Sequence, residues 1–172
     1  MDVVLRPITI KDTPNIFKWR NCNDVKKNLF TQKDITEEQH LKYFHDFIET
    51  KKVYQFIIVA EGNDCGTVFL KNVDFINRRA EFGIFIGESI FRGKGIGFIA
   101  TSKMIEIGFK ELLLDSIYLT VFSNNINAIK SYEKAGFKKT NIGEKYIFSN
   151  GLYTEITKME IERVIQSEKG DV

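Results

Sequence analysis

The feature that most constrains the fold is a glycine-rich hexapeptide, Arg92–Gly97, placed between an apolar run and a long apolar-patterned segment. The run Ala80–Gly87 is predicted to be a buried strand, and Phe98–Leu114 has the length and spacing of a helix packed on a sheet. Glycines at such a junction let the backbone approach a ligand, and the first helical N–H groups have no partner within the helix. The hexapeptide therefore predicts a phosphate or pyrophosphate site at a helix N-terminus. A glycine-rich turn carrying solvated basic residues is the alternative.

The order of the other segments indicates a mixed α/β domain with helices on both faces of the sheet. A strand at Ser116–Val121 follows the long helix, and strand, helix, strand in this order indicates a right-handed parallel crossover. Ligands in such sheets bind at the carboxyl ends of the strands, here Ala80–Gly87 and Ser116–Val121. Further strands are predicted at Val3–Ile8, Tyr54–Ala60, Cys65–Val73, Thr140–Phe148 and Tyr153–Ile161, and further helices from Asp12, Thr36 and Asn125.

Length and charge narrow the classes of function. The 172 residues suit one domain, residues 1–172, with a polar tail from about residue 163. The net charge is +2 and the basic residues are scattered, which argues against nucleic acid and anionic membranes as partners. No apolar run reaches membrane-spanning length, and Met1-Asp2-Val3 lacks the basic start of a signal peptide. We therefore expect a cytoplasmic protein.

The cysteine and histidine residues form no metal-binding pattern. Cys22 and Cys65 are too few and too far apart for a metal motif, and such sparse cysteine usage fits a reducing compartment. His40 and His45 are five residues apart, which places them on different faces of a helix. We expect both histidines to be surface or satisfied residues and predict that no metal is required.

A second motif, Asn125–Phe137 (NINAIKSYEKAGF), is more specific than the hexapeptide. Together the two stretches resemble the Arg/Gln-x-x-Gly-x-Gly and Asn-x-x-Ala-x-x-x-Tyr-x-x-x-Gly-Phe motifs of the GNAT superfamily of acetyl-CoA-dependent N-acetyltransferases. The resemblance covers essentially the whole chain. It implies a largely antiparallel mixed sheet with one parallel crossover, acetyl-CoA as cosubstrate and direct transfer of the acetyl group to an amine.

Glu81 is the candidate general base. Strand alternation places Glu81 and Gly83 on one face, and a glycine there leaves room beside the carboxylate for a bound amine. The carboxylate would take a proton from the substrate ammonium, directly or through water. The alternative is a surface carboxylate paired with Arg78 or Arg79, and the residues alone leave both interpretations open.

Tyr132 is the candidate general acid. It follows Ala128 and Ile129 by one helical turn, so its ring is expected to be at least partly buried. The resemblance implies that its hydroxyl donates a proton to the CoA thiolate, whereas a core tyrosine is the alternative. Asn125 is a helix cap that the resemblance also places near CoA. The predicted cofactor-binding residues are Ile86, Gly87, Arg92, Gly93, Lys94, Gly95, Ile96, Gly97 and Asn125.

The acceptor site is predicted at Trp19, Arg20, Asn21 and Tyr43, with a core position as the alternative for Trp19, because a lone tryptophan is usually buried. The stretch from Trp19 to Lys27 resembles pseudaminic-acid-pathway acetyltransferases, which implies a nucleotide-linked 4-amino sugar as acceptor. The alternatives are a polyamine, a protein N-terminal amine, or a CoA-binding regulatory module without turnover. The expected partners are thus a small-molecule amine and, as an option, a second copy of the chain in a homodimer.

Overall fold

The structure is a computed structural model that describes residues 1–147 and 153–164, with the backbone alone for 141–147. Within these residues seven strands form one sheet in the order β1-β2-β3-β4-β5-β7-β6. Every neighbouring pair is antiparallel except β4 and β5, which are parallel. The strands are β1 (Val3–Pro7), β2 (Tyr54–Ala60), β3 (Asn63–Asp74), β4 (Arg79–Ile86), β5 (Ser116–Phe122), β6 (Lys138–Ile147) and β7 (Tyr153–Glu162).

Five helices connect these strands in the described part of the chain. They are α1 (Thr13–Asn21), the single turn α2 (Asn23–Lys26), α3 (Glu37–Tyr43), α4 (Ile96–Glu106) and α5 (Ile126–Lys134). The helical winding of α3 continues over Phe44–Ile48 and that of α4 over Ile107–Glu111, both in π geometry. No helix among the described residues is long and apolar enough to cross a bilayer.

The predicted fold class is confirmed, because β4, α4 and β5 form the parallel crossover within a largely antiparallel sheet. Element ends differ by a few residues. The central helix begins at Ile96 rather than Phe98, and β3 extends from Asn63 to Asp74. The predicted turn at 149–151 lies outside the described residues. Of the predicted polar tail, Arg163 is described, and it is anchored by an ion pair with Asp115 at 2.7 Å.

Two apolar cores lie on opposite faces of the sheet. Alternation along β4 places Phe82 in the larger core, which contains buried residues of α4 and α5. Phe85 points the other way, towards a smaller core formed by Ile16 and Trp19 of α1 with Phe44 and Ile57. Helices therefore cover both faces, as the sequence predicts.

The sheet opens between β4 and β5. Their pairing consists of Arg79–Ser116, Ala80–Ile117 and Glu81–Tyr118, and it ends there. On their outer edges the two strands stay paired, β5 with β7 from Ser116 to Phe122 and β4 with β3 up to Ile86. The carboxyl-terminal halves of the two parallel strands are thus separated at the position where the sequence predicts a ligand.

Candidate active site

A cavity of about 1200 Å³ occupies the opening between β4 and β5. Its walls include Phe82–Ile86 of β4 and Leu119–Val121 of β5. On one side of the sheet it reaches the N-termini of α4 and α5, and on the other side it reaches α1 and α3. A cavity of this size that joins both faces can hold two substrates end to end.

The glycine-rich hexapeptide forms the predicted helix N-terminus. Gly95 is the N-cap of α4 with φ 81°, and Gly93 has φ 73°, so both adopt the left-handed backbone conformation that favours glycine. A Cβ atom on Gly93, Gly95 or Gly97 would meet no atom within 4 Å, and all three glycines line the cavity. The first N–H groups of α4 therefore lie beside open space, which is the arrangement that binds phosphate groups.

The three other residues of the hexapeptide have different surroundings from those expected. Arg92 lines the cavity, but it donates hydrogen bonds to the carbonyl oxygens of Ile86 (3.0 Å) and Gly87 (2.9 Å) and pairs with Asp24 at 3.2 Å. Its guanidinium thus fastens the loop to the end of β4. Lys94 lies over the Phe91 ring and does not line the cavity, and Ile96 is buried in the larger core.

Gly87 and Trp19 form a packed pair outside the cavity. The Gly87 N–H donates to the Cys65 carbonyl (2.8 Å) and its own carbonyl accepts from Arg92, so both backbone groups are engaged. A Cβ atom on Gly87 would lie 2.1 Å from Cγ of Trp19, which is 1% exposed and donates from Nε1 to Glu88 at 2.8 Å. Neither residue is brought to the cavity. This corrects the prediction of Gly87 as a cofactor-binding residue and of Trp19 as part of the acceptor site.

Glu81 lines the cavity at the point where the two strands separate. Its carboxylate pairs with Lys71 (Nζ–Oε1, 3.1 Å) and accepts a hydrogen bond from Asn72 (2.8 Å). The pairing with Arg78 or Arg79 that the alternative interpretation predicts is wrong, since Arg78 pairs with Asp115 and Arg79 covers the Tyr118 ring. The expectation of free space beside Gly83 is also wrong. A Cβ atom there would lie 2.3 Å from the Phe69 ring, so that ring occupies the position beside Glu81.

Tyr132 reaches the cavity from α5 with its ring held between aromatic neighbours. The ring meets Phe82 edge-on with centroids 5.9 Å apart, and Phe137 at 6.0 Å. Its hydroxyl has no hydrogen-bond partner within residues 1–147 and 153–164. Burial raises the pKa of Tyr132 to about 12, so the hydroxyl keeps its proton at neutral pH.

The N-terminus of α5 is tied to the segment that follows α1. The Asn125 side chain accepts from the Ala128 N–H (3.3 Å), as expected of a cap, and donates to the side chain of Asn28 (3.2 Å). The rings of Phe30 and Phe122 also meet edge-on, with centroids 4.8 Å apart. The segment from Asp24 to Phe30 therefore spans the cavity, a role that its irregular polar sequence does not signal.

Arg20 and Tyr43 line the acceptor side of the cavity as predicted, whereas Asn21 does not. Arg20 donates from Nη2 to the Thr31 carbonyl, and its buried Nη1 has no partner in the described part of the chain. Burial lowers the pKa of the Arg20 guanidinium. Tyr43 stacks on Phe47 with centroids 5.2 Å apart, and burial raises its pKa to about 12. Asn21 instead holds the backbone of Ile35 through two hydrogen bonds of 2.8 and 2.9 Å.

The carboxylates that line the cavity each have a cationic partner. Asp24 pairs with Lys27 at 2.9 Å and with Arg92, and Asp34 pairs with Lys26. The Glu81 carboxylate has Lys71 as its cation. In the part of the chain that the structure describes, no group of three or more His, Cys, Asp or Glu residues is arranged to hold a metal ion.

Comparisons with other proteins agree with this arrangement. Residues 2–138 match the family described as Acetyltransferase (GNAT) domain. The chain is 33% identical to spermidine N(1)-acetyltransferase of Vibrio cholerae, covering 92% of both chains. It is 28% identical to acetyltransferase PseH of Campylobacter jejuni, covering 71% of this chain and 74% of that one. A crystal structure of the Vibrio cholerae enzyme with CoA and spermine superposes with a TM-score of 0.86 and 26% identity, covering 93% of this chain and 95% of that one.

The matched family, the open glycine loop at the start of α4 and the strand separation all lead to one assignment. The cosubstrate is acetyl-CoA, and the reaction is N-acetylation. The chain belongs to the GNAT family of acetyltransferases.

Proposed function

We propose that the acceptor is the primary amine of a nucleotide-linked amino sugar, with a UDP-linked 4-amino-4,6-dideoxy sugar as the best candidate. The observation that carries the proposal is the charge pattern of the cavity. Its carboxylates are already paired with cations, while the buried Arg20 Nη1 has no partner within the described residues. A wall of this kind favours an acceptor that brings anionic oxygens, which a nucleotide diphosphate does.

Spermidine is the second candidate, and similarity to spermidine N(1)-acetyltransferase over 92% of the chain favours it. A polyamine carries several positive charges and needs carboxylates that are free to pair with them. In this cavity, an additional ammonium of a polyamine at Asp34 would have to displace Lys26. The resemblance of the stretch after Trp19 to pseudaminic-acid-pathway acetyltransferases also favours the sugar.

The proposed chemistry uses Glu81 and Tyr132 at the strand opening. Glu81 takes one proton from the acceptor ammonium, directly or through water, and so frees the nitrogen lone pair. The amine forms a C–N bond with the thioester carbonyl carbon, and the C–S bond breaks as Tyr132 gives its proton to the departing sulfur. The nitrogen then loses its second proton to the Tyr132 oxygen, directly or through water, which leaves a neutral amide, the free CoA thiol and a reprotonated tyrosine. N–H groups at the start of α4, from Gly93 to Gly97, hold the pyrophosphate.

Direct transfer, without an acyl-enzyme, follows from the placement of the cysteines. Cys22 is exposed, and Cys65 is buried with a thiol pKa that burial raises to about 11. Neither residue lines the cavity. A thiol that stays protonated and lies away from the cavity is a poor nucleophile for acyl transfer.

An acceptor panel tests the proposal. Purified protein with acetyl-CoA is given a UDP-linked 4-amino-4,6-dideoxy sugar, spermidine or a short peptide with a free N-terminus, and release of free thiol is measured. We expect the highest kcat/KM for the sugar nucleotide. Preference for spermidine or the peptide would overturn the choice of acceptor, and absence of thiol release with all three would favour a regulatory module.

Self-association is a separate part of the proposal. One solved structure of the related Vibrio cholerae spermidine N-acetyltransferase is dodecameric. We propose that this chain also forms at least a homodimer. Light scattering on purified protein measures the mass directly, and a monomer at micromolar concentration would contradict this part of the proposal while leaving the acceptor assignment intact.

A further inference from the structure

His40 is a buried polar residue in the wall of the cavity to which the proposed chemistry assigns no role. The residue is 4% exposed and lines the cavity on the side formed by α1 and α3. The sequence leads us to expect a surface or satisfied histidine. The structure instead leaves its Nε2 atom buried and without a hydrogen-bond partner among residues 1–147 and 153–164.

The position of His40 is fixed from its other ring nitrogen. Nδ1 lies 3.2 Å from Oγ1 of Thr13 at the start of α1, which leaves Nε2 as the ring atom with unused hydrogen-bonding capacity. Thr13, Ile16 and Arg20 follow one another at helical spacing on the same face of α1, and His40 and Tyr43 do so on α3. His40 therefore belongs to the same surface as the predicted acceptor residues Arg20 and Tyr43.

Two buried nitrogens on this surface have no hydrogen-bond partner among the described residues. They are Nε2 of His40 and Nη1 of Arg20. Buried polar atoms are nearly always paired in native proteins, because an unpaired one forfeits its hydrogen bonds to water. Two such atoms beside one cavity indicate that their partners are supplied by the molecule that occupies it.

We infer that His40 is a specificity-determining residue that hydrogen-bonds a polar group of the acceptor through Nε2. The inference rests on the proposed function, because it assumes that the acceptor binds between α1 and α3. Burial also lowers the pKa of His40, so the imidazole is neutral and reads a hydrogen-bonding group rather than a charge. Nε2 lies beneath the cavity surface, so a neighbouring side chain has to rotate before the acceptor reaches it. Tyr43 is one such neighbour, with its ring centroid 6.5 Å from that of His40.

Two substitutions separate the two ring nitrogens. In His40→Asn the amide keeps a polar atom near the position of Nδ1, against Thr13, but removes the Nε2 end. In His40→Gln the longer amide places a polar atom near the position of Nε2. Both variants are measured with the UDP-linked 4-amino-4,6-dideoxy sugar and with spermidine, together with the acetyl-CoA dissociation constant and the melting temperature.

We expect His40→Asn to raise the acceptor KM at least tenfold with an unchanged acetyl-CoA dissociation constant, and His40→Gln to restore KM to within about threefold of the native value. An acceptor KM that is the same in both variants and the native protein would overturn the inference, as would a loss of melting temperature without a change in KM. If the native protein turns over spermidine alone, the sugar proposal fails, and the KM ratio with spermidine still decides the role of His40.

Discussion

At the scale of single residues, the two candidate catalytic side chains differ in their hydrogen bonding. Tyr132 is packed against Phe82 and Phe137, and its hydroxyl makes no hydrogen bond within the described part of the chain. Glu81 has both carboxylate oxygens engaged, one by Lys71 and one by Asn72. The tyrosine is thus free to meet an incoming sulfur, while the carboxylate is held in one orientation at the mouth of the strand opening.

Replacing Tyr132 with phenylalanine tests its proposed role as general acid. Loss of a general acid typically lowers the rate by about 10²–10⁴-fold, so we expect kcat to fall by that amount while acetyl-CoA affinity is kept. Because burial raises the pKa of Tyr132 to about 12, its protonated form persists, and native kcat should not decline on the alkaline side up to about pH 10.

Tyr54 provides the matched control, since it is a partly buried tyrosine that packs against the larger core and does not line the cavity. Tyr54→Phe should leave kcat near the native value. Equal kcat in the Tyr132→Phe variant and the native protein, measured where chemistry limits turnover, would make Tyr132 a core residue only.

The sequence predicts the candidate site residues better than it predicts the residues that contact them. Motifs and strand alternation identify Tyr132, Asn125 and Glu81, and the predicted acceptor side includes Arg20 and Tyr43. The structure brings these five to one cavity, whereas the candidates Trp19, Asn21, Gly87, Lys94 and Ile96 do not line it. Partners depend on contacts between distant segments, which a single sequence does not encode locally. The Phe69 ring over Gly83 comes from the neighbouring strand, and the Thr13 contact of His40 joins two helices.

At the scale of elements, the N-terminus of α4 carries the proposed pyrophosphate site. The sequence predicts it because glycine tolerates the left-handed conformation that Gly93 and Gly95 adopt. The role of Arg92 is harder to foresee, since charge alone does not distinguish a ligand contact from its bonds to the carbonyls of Ile86 and Gly87. The core position of Ile96 is also not evident from the sequence, because it depends on a helix that starts two residues earlier than predicted.

Gly95→Leu tests the pyrophosphate site against a control with the same backbone conformation, Gly62→Leu. Gly95 and Gly62 have φ of 81° and 78°, and a Cβ atom on either would meet no atom within 4 Å. Strain from a left-handed leucine costs on the order of 1–3 kcal/mol at either position. We expect both variants to lose similar free energy of unfolding, but only Gly95→Leu to weaken acetyl-CoA binding, by at least tenfold in calorimetry. Equal affinity in the two variants would place the pyrophosphate elsewhere.

The entry to α1 is held by a buried carboxylate. Asp12 is 6% exposed and accepts two hydrogen bonds from Arg6 (2.7 and 3.0 Å) and one from the Thr9 N–H (2.7 Å). Burial alone would raise the pKa of Asp12, but the bonds from Arg6 and Thr9 outweigh burial and lower it. Because the folded-state pKa is depressed, the stabilisation is present above the unfolded value of about 3.9 and is lost as pH falls through the folded value.

Asp12→Asn should therefore lower the free energy of unfolding at pH 7 by about 1–3 kcal/mol, since hydrogen bonds to a charged group are lost. The difference from the native protein should shrink as the pH falls below about 4. Asp46→Asn, at an exposed pair with Lys42, is the control and should change little. Urea titrations at several pH values measure both, and a difference that grows in acid would contradict the assignment.

At the scale of the whole molecule, the separation of β4 from β5 joins two sites on opposite faces of the sheet. The phosphate loop and Tyr132 lie on the α4 and α5 side, and Arg20, His40 and Tyr43 lie on the α1 and α3 side. The sequence predicts the crossover and the ligand position at the strand ends. The extent of the opening is set by where the pairing of β4 with β5 ends, at Glu81 and Tyr118, and local pattern does not determine that position.

Binding of a nucleotide diphosphate in the acceptor half of this cavity is the central claim, and inhibition by free UDP tests it most directly. UDP is varied against the amine acceptor with the highest turnover and, separately, against acetyl-CoA, in the native protein and in Arg20→Ala. We predict competitive inhibition against the acceptor only, with an inhibition constant at least tenfold higher in Arg20→Ala because the buried guanidinium is lost. Inhibition by UDP that is competitive with acetyl-CoA alone, or absent while spermine competes with the acceptor, would contradict the claim.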